Sequence, residues 1–270
     1  MKLSRAETRH LIRESIRTAW ANRRLWWFGA ALAAVQSLHT WLTPASRPQS
    51  ESVLQNALGG WPSIPAYAGS LLAGLVSVWL LVALTLSALA TIQGNPLSLK
   101  DAVGLSWNKR QSVVVFGTIF WLGNELLITI GRVGPPRMAF VLVICSAIWS
   151  FSLYLAFPVL AREQQSGLGA MTRALSLIRV GWASRLLGVI GLTLRFIARM
   201  IPVMVLASIA EVAFRDGRAF VWIGWALTLF SVFFVCADQV FDARLYMSLT
   251  STEPPPKAPP ALLMSTASST

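Results

Sequence analysis

Six long apolar stretches alternate with shorter polar segments along this chain. The stretches are Leu25 to Leu42, Tyr67 to Ile92, Val113 to Ile130, Met138 to Ala161, Leu186 to Ala210 and Phe220 to Val240. Each reaches the roughly 18 to 25 residues that a bilayer-spanning helix needs. The pattern therefore predicts an all-α membrane protein with six transmembrane helices, whose membrane domain covers residues 25–249.

A basic amphipathic segment precedes the first, third and fifth stretches. In residues 1–24, Ser4 and Glu7 have capping-box spacing, and an arginine recurs at every fourth position opposite an apolar stripe. These arginines are Arg5, Arg9, Arg13 and Arg17. Residues 98–110 and 167–182 repeat this order, with Ser98 and Asp101 again at cap spacing. Each segment is predicted to form a helix along the cytoplasmic surface of the membrane.

The three segments also indicate an internal repeat. Trp20, Trp107 and Trp182 lie near their ends, and each is followed by one or two cationic residues and an apolar stretch with an early glycine. We therefore predict three weak repeats of an interfacial helix plus a two-helix hairpin. The alternative is that membrane topology alone places basic, tryptophan-bounded segments before spans.

Composition and charge placement support the membrane prediction. Hydrophobic residues make up 55% of the chain and charged residues 13%, and the mean hydropathy is +0.60. The net charge of +12 is also typical of nucleic-acid binders, but sixteen Lys and Arg residues fall in predicted cytoplasmic segments and five in outer loops. By the positive-inside rule, both termini of this multi-pass protein lie on the cytoplasmic side of the inner (cytoplasmic) membrane. The expected partners are membrane lipids with anionic head groups, and no nucleic acid.

The start of the chain is predicted to be an uncleaved anchor. A cleavable signal peptide fits poorly, because the charged region before Leu25 is 24 residues long and has helical periodicity of its own.

Ionisable residues inside predicted spans are the candidate ligand-binding residues, because burying charge in a bilayer is costly. Glu125 lies roughly 18 Å from the inner boundary, and Arg195 and Arg199 lie roughly 14 and 20 Å from it at 1.5 Å per residue. Together with Asn124, they are predicted to form one interhelical cluster that binds a phosphate or carboxylate head group. The alternative is a buried ion pair that only fixes helix register.

Asp238 and Asp242 are four residues apart at the inner end of the last span, so they share one helix face. They are predicted to pair with Arg179, Arg185 or Arg244 and to anchor the helix end. A proton or cation relay is the alternative.

Other chemistry is not expected. Cys145 and Cys236 both lie in predicted spans and are interpreted as apolar packing residues, and His39 and His10 are too isolated for a metal site. The chain has no G-x-S-x-G, Walker A or H-E-x-x-H motif. We therefore expect no enzyme activity, cofactor or metal.

Several segments resemble a known group of proteins. These are Trp20, Arg23 to Gly29, Gln93 to Trp107 and Arg162 to Trp182. In them the chain is similar to a broad group of uncharacterised bacterial six-helix integral membrane proteins, which includes the membrane domain found beside some glycerophosphodiester phosphodiesterases. The resemblance implies a membrane-embedded role and carries over no catalytic residue.

Residues 250–270 form a proline-rich tail. Its composition predicts a disordered cytoplasmic segment with local polyproline II character, which either recruits a protein partner or is simply solvated.

Three functions remain open from the sequence. The first, which we favour, is a transport or lipid-handling component that binds an anionic amphiphile. The second is a structural or accessory membrane scaffold without a ligand. The third is the membrane subunit of an ATP-driven exporter, against which the threefold repeat argues.

Overall fold

The described part of the chain is all-helical, as the hydropathy pattern predicts. The structure is a computed structural model that describes residues 4–42, 64–133, 139–214 and 218–251. The helices are α1 (Arg5–Ala21), α2 (Arg23–Leu42), α3 (Ile64–Ile92), α4 (Leu99–Asn108), α5 (Arg110–Val133), α6 (Ala139–Tyr154), α7 (Ala156–Arg162), α8 (Gly167–Phe214) and α9 (Arg218–Thr250). Residues 43–63 of the predicted first outer loop and residues 252–270 of the proline-rich tail lie outside the described residues.

Side-chain caps start the amphipathic helices. Ser4 Oγ accepts a hydrogen bond from the Glu7 N–H at 3.2 Å, and Glu7 Oε2 accepts one from the Ser4 N–H at 2.6 Å. This bond lowers the pKa of Glu7, because it stabilises the ionised carboxylate. Ser98 Oγ accepts from the Asp101 N–H at 3.2 Å. Both predicted caps are confirmed.

Two of the three amphipathic helices end at a break before the next helix. Asn22 takes an extended backbone conformation after α1, and its side-chain Oδ1 accepts the Arg24 N–H at 3.2 Å. Asn22 therefore ends α1 and caps α2. Lys109 separates α4 from α5 without an extended conformation (φ −100°, ψ 14°), and its N–H is bonded to the carbonyls of Ser106 and Trp107 in the last turn of α4.

The third unit differs from this prediction. Residues 167–182 are not a separate interfacial helix, because α8 runs without a break from Gly167 to Phe214. No proline or extended cap residue stands between Trp182 and Leu186, and Arg185 is instead fixed by α9. A long helix needs such a local cause to break.

The predicted fourth span is divided. Helix α6 ends at Tyr154 and α7 begins at Ala156. Pro158 has no N–H to donate to the Tyr154 carbonyl, so a continuous helix would lose a hydrogen bond there. The last helix also extends ten residues past its predicted end at Val240, to Thr250.

Helix α9 forms the centre of the packing. It contacts α8, α1, α2 and α3. A Cβ atom on Gly29 of α2 would lie 2.8 Å from Val232 Cγ1 and 2.9 Å from Cys236 Sγ of α9, so this glycine allows the two helices to approach closely. The inward face of α1, which includes Ile12 and Ala19, is buried as well.

Two segments among the described residues are long and apolar enough to cross a membrane. They are Ala68–Ile92 in α3 and Gly167–Arg195 in α8. Two such helices are weak support for a membrane protein, because the core helix of a soluble protein can have the same length and composition. The number of six spans stays a prediction.

Candidate functional site

The predicted cluster around Glu125 does not appear as an ion pair among the described contacts. Glu125 Oε1 accepts a hydrogen bond from the Ser70 hydroxyl of α3 at 3.0 Å, and Trp121 Nε1 donates to Ser70 Oγ at 3.0 Å. Asn124 Nδ2 donates to the Phe120 carbonyl of its own helix at 3.0 Å. Neutral partners therefore satisfy Glu125 and Asn124 locally.

The predicted arginine partners lie in α8. Arg195 is exposed and lines a small apolar cleft with Ile16 of α1 and with Phe230 and Phe234 of α9. The side chain of Arg199 lies outside the described part. Arg195 thus lines a cleft with residues of α1 and α9, whereas Glu125 is hydrogen-bonded to α3.

The prediction for Asp238 and Asp242 is confirmed for one of the three candidate arginines. Arg185 Nη1 and Nη2 donate to the two carboxylate oxygens of Asp238 at 2.9 and 3.3 Å. Arg185 Nε lies 2.8 Å from Asp242 Oδ1. The rings of Tyr154 and Phe241 flank the guanidinium, with centroids 5.3 and 5.9 Å from Cζ. We call Arg185, Asp238 and Asp242 the buried triad.

The triad lies in the interior of the helix bundle. Arg185 is 1% exposed and Asp242 is fully buried. Next to the triad in sequence, Gln239 is also fully buried, and its Oε1 accepts from the Thr85 hydroxyl of α3 at 2.8 Å. The triad and this amide thus connect α8, α9 and α3 through buried polar groups, of which Asp238 keeps a small exposed fraction of 8%.

A basic cleft of about 520 Å³ opens between α1, α2, α3 and α9. Three arginines from three different helices line it, namely Arg17 of α1, Arg24 of α2 and Arg244 of α9, with Glu14 as one carboxylate. The other polar lining residues are Thr18, Asn22 and Thr91. The cleft therefore presents an excess of positive charge.

Hydrogen bonds hold the walls of the basic cleft in place. Arg244 Nη2 donates to Thr18 Oγ1 at 2.9 Å, which joins α9 to α1. Asn22 Nδ2 donates to Thr91 Oγ1 at 2.9 Å, which joins the α1–α2 break to α3. Burial lowers the pKa of Arg244, and the nearby Glu14 carboxylate opposes this shift. The Arg244 Nε is buried without a hydrogen-bond partner among the described residues.

An anion is the ligand that these groups fit. Guanidinium groups donate hydrogen bonds to phosphate or carboxylate oxygens in fixed pairs, and they have no acceptor of their own. Hydroxyl and amide groups beside them supply further donors. The cleft thus combines positive charge with several directed N–H and O–H groups.

No pattern in the sequence points directly to the basic cleft. Arg24 appears there as part of a positive-inside cluster, and Arg17 as part of an exposed stripe. Arg244 stands more than two hundred residues away in sequence, and only the packing of α9 on α1 brings it next to Thr18. A tertiary contact of this kind has no local pattern.

Comparison of the chain with protein-family models, with curated proteins and with solved structures finds no match in any of the three. The functional argument therefore rests on the residues and their geometry.

Proposed function

We propose that this chain is a multi-pass membrane protein with a transport or lipid-handling role, which binds the phosphate head group of an anionic lipid in the basic cleft. The observation that carries the proposal is the convergence of Arg17, Arg24 and Arg244 on one cleft of about 520 Å³. With Glu14 included, the formal charge of the lining residues is +2, which complements a phosphate group.

The exposed side of α8 supports placement in a bilayer. Its exposed apolar side chains recur every three or four residues, so they form one continuous stripe. They are Leu186, Ile190, Leu194, Ile197, Ile201 and Val205. At 1.5 Å per residue the stripe is roughly 29 Å long, which matches a hydrocarbon core of about 30 Å. Water is a poor solvent for such a surface, whereas lipid tails solvate it.

Exposed tryptophans support the same placement. Trp20, Trp27, Trp107 and Trp182 are all at least half exposed, although tryptophan normally buries its large apolar ring. Amphipathic rings of this kind favour the boundary between lipid and water. Trp20 and Trp27 flank the break at Asn22, which lines the basic cleft. The cleft would then open at the depth of lipid head groups.

The predicted membrane topology would place the basic cleft where an anionic lipid can reach it. In the predicted orientation the basic cleft lies on the cytoplasmic side, where anionic lipids concentrate positive side chains at the surface. The exposed arginines Arg5, Arg9 and Arg13 of α1 would attract the same lipids without forming a defined site. Specific binding in the cleft and general attraction along α1 are therefore separable by mutation.

The test uses the full-length protein in nanodiscs that contain phosphatidylcholine with a small fraction of fluorescent phosphatidic acid. We expect Arg24→Gln to weaken recruitment of the anionic lipid by about tenfold, because a charge-assisted hydrogen bond contributes about 1.5–3 kcal/mol. Arg9→Gln is the matched control and should have a much smaller effect.

Equal losses in the two variants would contradict the cleft as the site, since α1 would then act only as a charged surface. A parallel titration with inorganic phosphate distinguishes the source of the phosphate. Competition by free phosphate at low millimolar concentration, with no preference for the labelled lipid, would contradict a lipid ligand.

A further inference from the structure

The buried triad contains more acid than base. It places two carboxylates, Asp238 and Asp242, around the single guanidinium of Arg185. If both acids were ionised, the triad would carry a net negative charge although Arg185 and Asp242 are almost completely buried. Such a charge is strongly disfavoured unless another group neutralises it.

No second cation is found near Asp242 among the described residues. The charged groups near Asp242 are Arg185 of α8 and Asp238 of α9 itself, and α6 places the neutral phenol of Tyr154 nearby. Helix α3 contributes Thr85, whose hydroxyl donates to Gln239 rather than to the triad. A proton on one carboxylate would therefore balance the charge.

The two carboxylates differ in their hydrogen bonds. Asp238 accepts from both terminal nitrogens of Arg185, which is the arrangement expected for an ionised acid. Asp242 is fully buried, and neither of its oxygens accepts a hydrogen bond from the described residues. Its contact with Arg185 Nε at 2.8 Å is too poorly aligned to be one.

A second buried polar group lies one helical turn away. The Gln239 Nε2 also has no hydrogen-bond partner among the described residues, although Gln239 is fully buried. Residues 239 and 242 are three apart in α9, a spacing that places side chains on neighbouring positions of one helix surface. This part of the interior therefore has polar capacity beyond the Asp238 pair.

We propose that the buried triad is a proton-binding site, in which Asp242 holds an exchangeable proton at neutral pH while Asp238 remains ionised beside Arg185. On release, the Asp242 O–H bond breaks, the proton passes to water and the carboxylate remains. The neutral triad joins α8 to α9 without excess charge. The ionised triad needs water, so release would accompany a loosening of the contact between the two helices.

The pKa of the Asp242 carboxyl group is shifted in the direction that this assignment requires. Burial raises the pKa of Asp242 well above its ordinary value, because it disfavours the charged form, and Arg185 only partly opposes the shift. A raised folded-state pKa stabilises the fold below the unfolded-state value, and this contribution is lost as the pH rises through the folded-state value.

The experiment measures the proton directly in detergent-solubilised full-length protein. Infrared spectra at neutral pH should contain a carbonyl band of a protonated carboxylic acid, which shifts in heavy water. We expect the band to be absent in Asp242→Asn and unchanged in Asp101→Asn, the matched control at an exposed carboxylate. Unfolding at pH 7 should release about one proton more from the wild type than from Asp242→Asn.

A wild-type spectrum without the band overturns the proposal. Because this spectrum is measured on the wild type alone, the outcome does not depend on whether the variant folds. A band that persists in folded Asp242→Asn overturns it as well, because the proton would then belong to another acid. Equal proton release on unfolding of the wild type and of Asp242→Asn also overturns the proposal.

Discussion

Lys109 illustrates how one side chain organises the fold at the residue scale. It stands at the break between α4 and α5, and its Nζ donates to the carbonyls of Leu160, Ala161 and Glu163 at 2.7, 2.7 and 3.2 Å. The carbonyls at the end of α7 have no partner within their own helix. Lys109 therefore caps the C-terminal end of α7 and connects it to the start of α5.

Replacing Lys109 with Met should destabilise the protein by about 1–3 kcal/mol, because buried carbonyls lose their donor. The loss should also depend on pH. Burial lowers the pKa of Lys109 to about 8 from 10.5, and the Glu163 carboxylate opposes this shift. The folded state then binds fewer protons than the unfolded state between these two values, so the stability that Lys109 contributes rises with pH in this window.

Thermal unfolding of Lys109→Met beside the wild type, from pH 7 to 11, checks this prediction. Lys100→Met is the control, since Lys100 is exposed on α4 and should show almost no change. A stability difference that shrinks as the pH rises from 8 would be the opposite of our expectation.

Residue-level prediction from the sequence succeeded where spacing along one helix carried the information. The four-residue separation of Asp238 and Asp242 placed both acids on one face, and Arg185 does pair with them. Equal depth in two predicted spans was a weaker guide for Glu125. Depth does not specify which helix faces which. Glu125 accepts a hydrogen bond from Ser70, and its cluster with Arg199 stays a prediction, because the Arg199 side chain lies outside the described residues.

At the scale of elements, hydropathy located the helices but not all of their breaks. The helices break at Asn22 and at Lys109, near the predicted junctions between the amphipathic segments and the spans that follow them. Pro158 explains the break before α7, and a proline is visible in any sequence. Helix α8 continues past Trp182 because no proline or extended residue stands between Trp182 and Leu186.

The α8–α9 interface permits a direct test of this packing. A Cβ atom on Gly188 would collide with the ring of Phe241, which is fully buried. Gly188→Ala should therefore destabilise the protein by about 1–3 kcal/mol, as overpacking of a core does. Gly104→Ala in α4 is the matched control, because nothing lies within 4 Å of its added Cβ.

The control should be neutral or stabilising by up to about 1 kcal/mol, since alanine favours a helix over glycine. Chemical denaturation of both variants in the same detergent gives the comparison. Similar stability of the two variants would show that α8 and α9 do not pack as closely at this point as the structure has them.

At the scale of the whole molecule, three features agree with the proposed function. They are the exposed apolar stripe on α8, the exposed arginines of α1 and the basic cleft between four helices. All three fit a protein whose cytoplasmic side contacts anionic lipids. The threefold repeat fits in part, because the first two units break after their amphipathic helix and the third does not.

The side of the membrane on which the basic cleft lies tests the account most directly. In a variant without Cys145 and Cys236, single cysteines replace Ser50 in the predicted outer loop or Gln93, which is exposed beside the cleft. A membrane-impermeant maleimide should label Ser50→Cys in intact cells and Gln93→Cys only after permeabilisation. Labelling of Gln93→Cys in intact cells, or recovery of the protein in the soluble fraction, would contradict the proposed topology and with it the access of cytoplasmic-leaflet lipids to the cleft.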